Sequence, residues 1–113
     1  VLTYTKSLEA EADFRVKSFG HAGDGNLHIY TCSNDMEEGE FKKQVAVFMD
    51  KVYAKATEFG GMISGEHGIG NGRLDFLEEF AGPRMIELYK SIKRAFDDKL
   101  ILNPGKMIKI DEN

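Results

Sequence analysis

Phe14-Arg15-Val16-Lys17-Ser18-Phe19-Gly20-His21-Ala22-Gly23-Asp24-Gly25-Asn26-Leu27-His28-Ile29-Tyr30-Thr31-Cys32 is the stretch whose reading decides the fold. Phe14, Val16 and Phe19 stand among charged residues and predict a strand over 13–20. Gly23-Asp24-Gly25-Asn26 is a dense turn signal. Leu27 to Cys32 predicts a second strand, with Leu27, Ile29 and Thr31 on one face. If residues 23–26 form the loop, Ala22 faces Leu27 and His21 faces His28. Opposed residues share a sheet face with Cβ atoms about 4.5–5.5 Å apart, so two imidazoles in that register suit one divalent metal ion. A slip of one residue would part them. Asp24 is first a turn residue, and second a ligand or a partner of a ligand. Two ordinary polar histidines at a sheet end remain the plain alternative.

Downstream, Ser33-Asn34-Asp35 breaks the pattern, and a helix is expected over 37–59. Phe41, Val45, Phe48, Met49, Val52, Tyr53 and Ala56 recur at three- and four-residue spacing and form one apolar stripe. Glu37, Glu38 and Glu40 suit the positive end of that helix, and Gly60-Gly61 stops it. Met62-Ile63-Ser64 predicts a short strand entering a glycine-rich loop over 65–72. Helices are expected at 73–80 and 83–97, the second with Pro83 at its first position. Asn103-Pro104-Gly105 is a turn, followed by strand-like Met107-Ile108. Upstream, residues 1–12 carry a weak helical pattern and suggest a tether or frayed helix. These elements predict an α+β domain: an antiparallel sheet with helices on one face.

The second cluster is Ser64-Gly65-Glu66-His67-Gly68-Ile69-Gly70-Asn71-Gly72. Four glycines in eight positions let backbone approach a ligand, and the loop follows an apolar segment. Glu66 suits the carboxylate of a metal site, and His67 suits a general base near neutral pH. A solvated turn is the plain alternative. The loop matches neither His-Glu-x-x-His, nor Gly-x-Gly-x-x-Gly, nor the phosphate loop ending in Gly-Lys-Ser/Thr.

Composition limits the classes. The 113 residues are 42% apolar and 30% charged, with net charge −4, the balance of a soluble globular domain. Lys and Arg are interspersed with acids, so nucleic acid is not an expected partner. No apolar run nears the ~20 residues of a membrane span. Val1-Leu2-Thr3-Tyr4 lacks signal-peptide features and an initiator Met, so the chain is expected to be a piece of something longer. Lone Cys32 is expected to be a small buried strand residue in a reducing compartment. The expected location is cytoplasmic, with peripheral membrane association as a variant.

Three ordered motifs, Gly20 to His28, Ser64 to Gly70 and Ile101-Leu102-Asn103-Pro104-Gly105-Lys106, resemble the FAD-linked oxidase C-terminal domain family. That family holds D-lactate dehydrogenases, glycolate oxidase flavin subunits and D-2-hydroxyglutarate dehydrogenases, all vanillyl-alcohol-oxidase-like flavoproteins. The resemblance implies a fragment of a ferredoxin-like substrate (cap) domain over 13–110, with the FAD-binding domain outside this chain. It implies a divalent metal, zinc first, on His21, His28 and Glu66. His67 resembles the catalytic base, and Asn103 a contact on the flavin side. The implied reaction is FAD-dependent oxidation of a small D-2-hydroxy acid, with an electron-acceptor protein or partner subunits; the fragment alone is expected to be inactive. A non-catalytic metal-binding or interaction module and a metal-free variant are the competing readings. Two positions depart from the family: Arg73 stands where Lys is common, and Asp97-Asp98 where Asp-Pro is common.

Overall fold

In a computed structural model describing residues 1–110, the chain divides into two compact units, Val1–Gly61 and Met62 onward. The fold class is α+β, with four α-helices and a two-stranded antiparallel sheet among the described residues.

The first unit begins with α1, Leu2–Glu9, the helical one of the two expectations, tether or frayed helix, for residues 1–12. Its stability comes from contacts rather than propensity. Thr5 is fully buried and Leu8 packs on the core. Strand β1, Arg15–His21, then pairs with β2, Asn26–Cys32. Helix α2, Glu38–Glu58, closes the unit. Its apolar stripe behaves as the spacing predicts. Phe48 and Val52 pack with Phe14 and Val16, and Phe14 meets Phe41 and Phe48 edge to face at 5.9 and 5.4 Å. Glu37 caps α2, its carboxylate accepting from the Gly39 and Glu40 amides at 2.9 and 3.0 Å. Those two bonds hold its pKa below the ordinary value. The Gly61 amide donates to Ala56 at 2.8 Å and ends the helix.

Alternation along the hairpin divides its residues. Phe14, Val16 and Ile29 join the core under α2. The odd-numbered residues of β1 and the even-numbered residues of β2 take the other face. Phe19 is therefore exposed, and so is Cys32, which corrects the expectation of a buried thiol.

The second unit holds α3, Leu74–Ala81, and α4, Pro83–Phe96, with Leu77 buried at 3% exposure. Pro83 opens α4 as its fixed φ allows. Neither Met62-Ile63-Ser64 nor Met107-Ile108 forms a strand among the described residues. Each run is too short to gain more than a few ladder hydrogen bonds. The amides of Met107 and Ile108 instead bond to the carbonyls of Gly70 and Lys106. No described helix is long and apolar enough to cross a membrane.

Candidate active site

The hairpin brings His21 and His28 together, in a register different from the expected one. His21 faces Asn26, and His28 faces Phe19. The loop is Ala22–Gly25, one residue earlier than the turn signal suggested. Ala22–Asp24 form a single 3-10 turn, and Gly25 completes it with φ 67°. A left-handed residue is needed to end this turn, and Gly25 supplies it more cheaply than Asn26. The pairing thus moves by two residues, which preserves the face. His21 and His28 become diagonal neighbours, their ring centroids 5.9 Å apart at 77°. One nitrogen of each lies within 4.8 Å of the other.

His28 belongs to a short aromatic ladder. The Phe19 ring stacks on His28 at 5.2 Å and 20°, and on Tyr30 at 5.3 Å and 13°. Phe19 is 58% exposed, so this ladder lies on the open face rather than in the core. Stacking restricts the imidazole to few orientations. The period-two pattern held this information, because odd Phe19 and His21 and even His28 and Tyr30 share one face once the register is known.

The glycine-rich loop brings Glu66 and His67 together in the second unit. His67 Nε2 lies 3.9 Å from Glu66 Oε1, with side chains 56% and 47% exposed. Both groups are open to a small molecule. The loop is closed by side-chain bonds: Ser64 Oγ donates to the Gly68 carbonyl at 3.1 Å, and Arg73 Nη1 donates to the same oxygen at 2.9 Å.

Asn103 starts the turn that its motif predicts. The Lys106 amide donates to the Asn103 carbonyl at 3.3 Å, and Gly105 takes φ 70° at the position where Pro-Gly turns need it. The cavity beside Asn103 has a volume of about 40 Å³, room for water rather than a ring system. The segment before the turn is held by Asp97. Its carboxylate pairs with Lys93 and accepts from the Ile101 and Leu102 amides at 3.1 and 3.0 Å. Sequence reasoning saw in Asp97 only a departure from the family's Asp-Pro; no spacing rule marks a carboxylate that folds back on its own loop.

Comparison with known proteins matches residues 1–107 to the family described as FAD linked oxidases, C-terminal domain. The chain is 79% identical over 106 residues to D-lactate dehydrogenase from Anaerostipes hadrus, covering 94% of this chain and 22% of that protein. It is 41% identical over 104 residues to glycolate oxidase subunit GlcD from Bacillus subtilis (strain 168), covering 92% and 22%. To D-2-hydroxyglutarate dehydrogenase from Stutzerimonas stutzeri it is 41% identical over 96 residues, covering 84% and 21%. The chain therefore spans about a fifth of the length of the curated relatives it matches.

Proposed function

The chain belongs to the family of FAD linked oxidases, C-terminal domain, and on that premise we propose that it serves an FAD-dependent oxidation of a D-2-hydroxy acid to the 2-oxo acid. Residues 13–110 form the C-terminal part of the substrate domain in this reading. The observation that carries it is the 79% identity to a D-lactate dehydrogenase across 94% of the chain. Lactate is accordingly the first substrate to test, ahead of glycolate and 2-hydroxyglutarate.

The donor set suits a divalent cation. Two imidazoles on one sheet face and an exposed carboxylate are the ligand types that zinc takes, with positions left for a substrate. In this proposal His21, His28 and Glu66 hold the ion. Such an ion supplies Lewis acidity toward the hydroxyl and carboxylate oxygens of a 2-hydroxy acid. FAD, held chiefly outside this chain, would supply the acceptor for the α-hydrogen and its electron pair. His67 takes the hydroxyl proton on an imidazole nitrogen, so that the carbon–oxygen double bond can form. Its exposure gives a substrate access. Asn103 would face the flavin side, and an acceptor protein or partner subunit would take the electrons.

Rapid-mixing measurements on the intact flavoprotein test the base. His67→Ala is expected to slow flavin reduction by D-lactate about 10²–10⁴-fold. Near-normal reduction by every 2-hydroxy acid tried would remove His67 from the role. Metal analysis tests the ligands: His21→Ala, His28→Ala and Glu66→Gln should each lose the ion. Activity indifferent to chelators, in protein free of divalent ions, would sink the metal assignment.

A further inference from the structure

Glu66 and His67 lie on a loop with no helix or strand of its own among the described residues. Gly65, Gly68, Gly70 and Gly72 make that loop costly to order. Its shape is nevertheless fixed at two carbonyl oxygens. The Gly68 oxygen accepts from Ser64 Oγ and from Arg73 Nη1, and the same guanidinium nitrogen stands 3.4 Å from Ser64 Oγ. The Gly70 oxygen accepts from the Met107 amide at 2.6 Å. The first knot joins positions 64 and 68, so Gly65, Glu66 and His67 are the residues it encloses. Arg73 brings rigidity from outside the loop. Its own carbonyl accepts from the Leu77 amide at 2.9 Å, which seats it at the start of α3.

We propose that Arg73 is a positioning residue, whose guanidinium ties off the Ser64–Gly68 turn and so sets the direction in which Glu66 and His67 are presented. The inference rests on the reading of Glu66 as a metal ligand and His67 as a base. A charged donor on a carbonyl is stronger than a neutral one, and one nitrogen of the planar guanidinium faces both oxygens at little entropic cost. Lysine offers three donors on a flexible stem, enough to keep the Gly68 bond though not the fixed geometry.

The test uses the intact flavoprotein with Arg73→Met, Arg73→Lys and Ser64→Ala. Hydrogen exchange by mass spectrometry reads the loop directly. Amides over 64–72 should exchange about three- to tenfold faster in Arg73→Met, in line with the loss of one or two partly exposed hydrogen bonds. Arg73→Lys should stay within about twofold of the parent. Affinity for Zn²⁺, by competition with a chelator, should fall in Arg73→Met and recover in Arg73→Lys. The rate of flavin reduction should follow it, with KM moving less than kcat. Unchanged exchange in Arg73→Met overturns the proposal. A loosened loop with unchanged Zn²⁺ affinity and flavin reduction upholds the clamp and overturns the roles given to Glu66 and His67. If Arg73→Met does not accumulate, Ser64→Ala carries the test, since it removes the other donor to the same oxygen; exchange equal to the parent there refutes the knot.

Discussion

Asp97 is only 6% exposed, yet it carries a charge. Lys93 is the main reason its carboxyl titrates below the ordinary aspartate range, and the Leu102 and Ile101 amides lower it further against the cost of burial. A carboxyl with a lowered pKa in the folded state stabilises the fold above the unfolded value, near 3.8. That stability is lost as pH falls through the lower folded value. Asp97→Asn should therefore lower the melting temperature at neutral pH and flatten the acid limb of the stability curve below about pH 4. Melting curves of parent and variant from pH 7 to pH 2 (in buffers of matched ionic strength) check this. A constant difference at every pH would show that the charge is not what matters. At this scale the sequence revealed residue types better than partners. His21, His28, Glu66 and His67 stood out because imidazole and carboxylate chemistry is legible in any conformation. Arg73 and Asp97 stood out only as departures from the family pattern, not for their bonds, because each acts by folding a side chain onto backbone within a few residues, and that depends on the loop's path.

Among elements, the hairpin matters most, because its register decides whether the imidazoles meet. Gly20 is its tightest point: a Cβ there would stand 2.1 Å from the Asn26 carbonyl oxygen. The obstacle is backbone across the ladder, so it cannot swing aside. Gly20→Ala should destabilise the protein by about 2–3 kcal/mol and separate His21 from His28. Gly23 lies in the adjoining loop with nothing within 4 Å of a built Cβ and no positive φ, so Gly23→Ala should stay within about 0.5 kcal/mol. Denaturant unfolding of the two variants decides; equal losses would mean that the register is not set at Gly20. The hairpin also shows why element type was readable when register was not. Alternation identified both strands and the shared face of the two histidines. The loop was misplaced by one residue because several turn-forming residues adjoin, and only the left-handed conformation at Gly25 selects among them. The α2 stripe left no such choice, and its expected range of 37–59 differs from the observed Glu38–Glu58 by one residue at each end.

For the whole molecule, the division of labour follows from the shape of the match. The chain aligns with a C-terminal domain and spans about a fifth of its relatives' length. Binding a dinucleotide such as FAD requires a surface that wraps two phosphates, usually with backbone amides of a glycine-rich turn at a helix start. The two glycine-rich stretches here carry histidine and glutamate where such turns carry small residues, and neither has the Gly-x-Gly-x-x-Gly spacing. Their chemistry suits cations and protons rather than pyrophosphate. The 113 residues expressed alone should thus purify without flavin absorbance, whereas the proposed function expects FAD on the intact protein. Circular dichroism showing the helices of the isolated chain would establish that it had folded. Flavin retained in proportion to that folded chain through gel filtration would overturn the division, and would move the cofactor site onto this chain's own residues, Asn103 first among them.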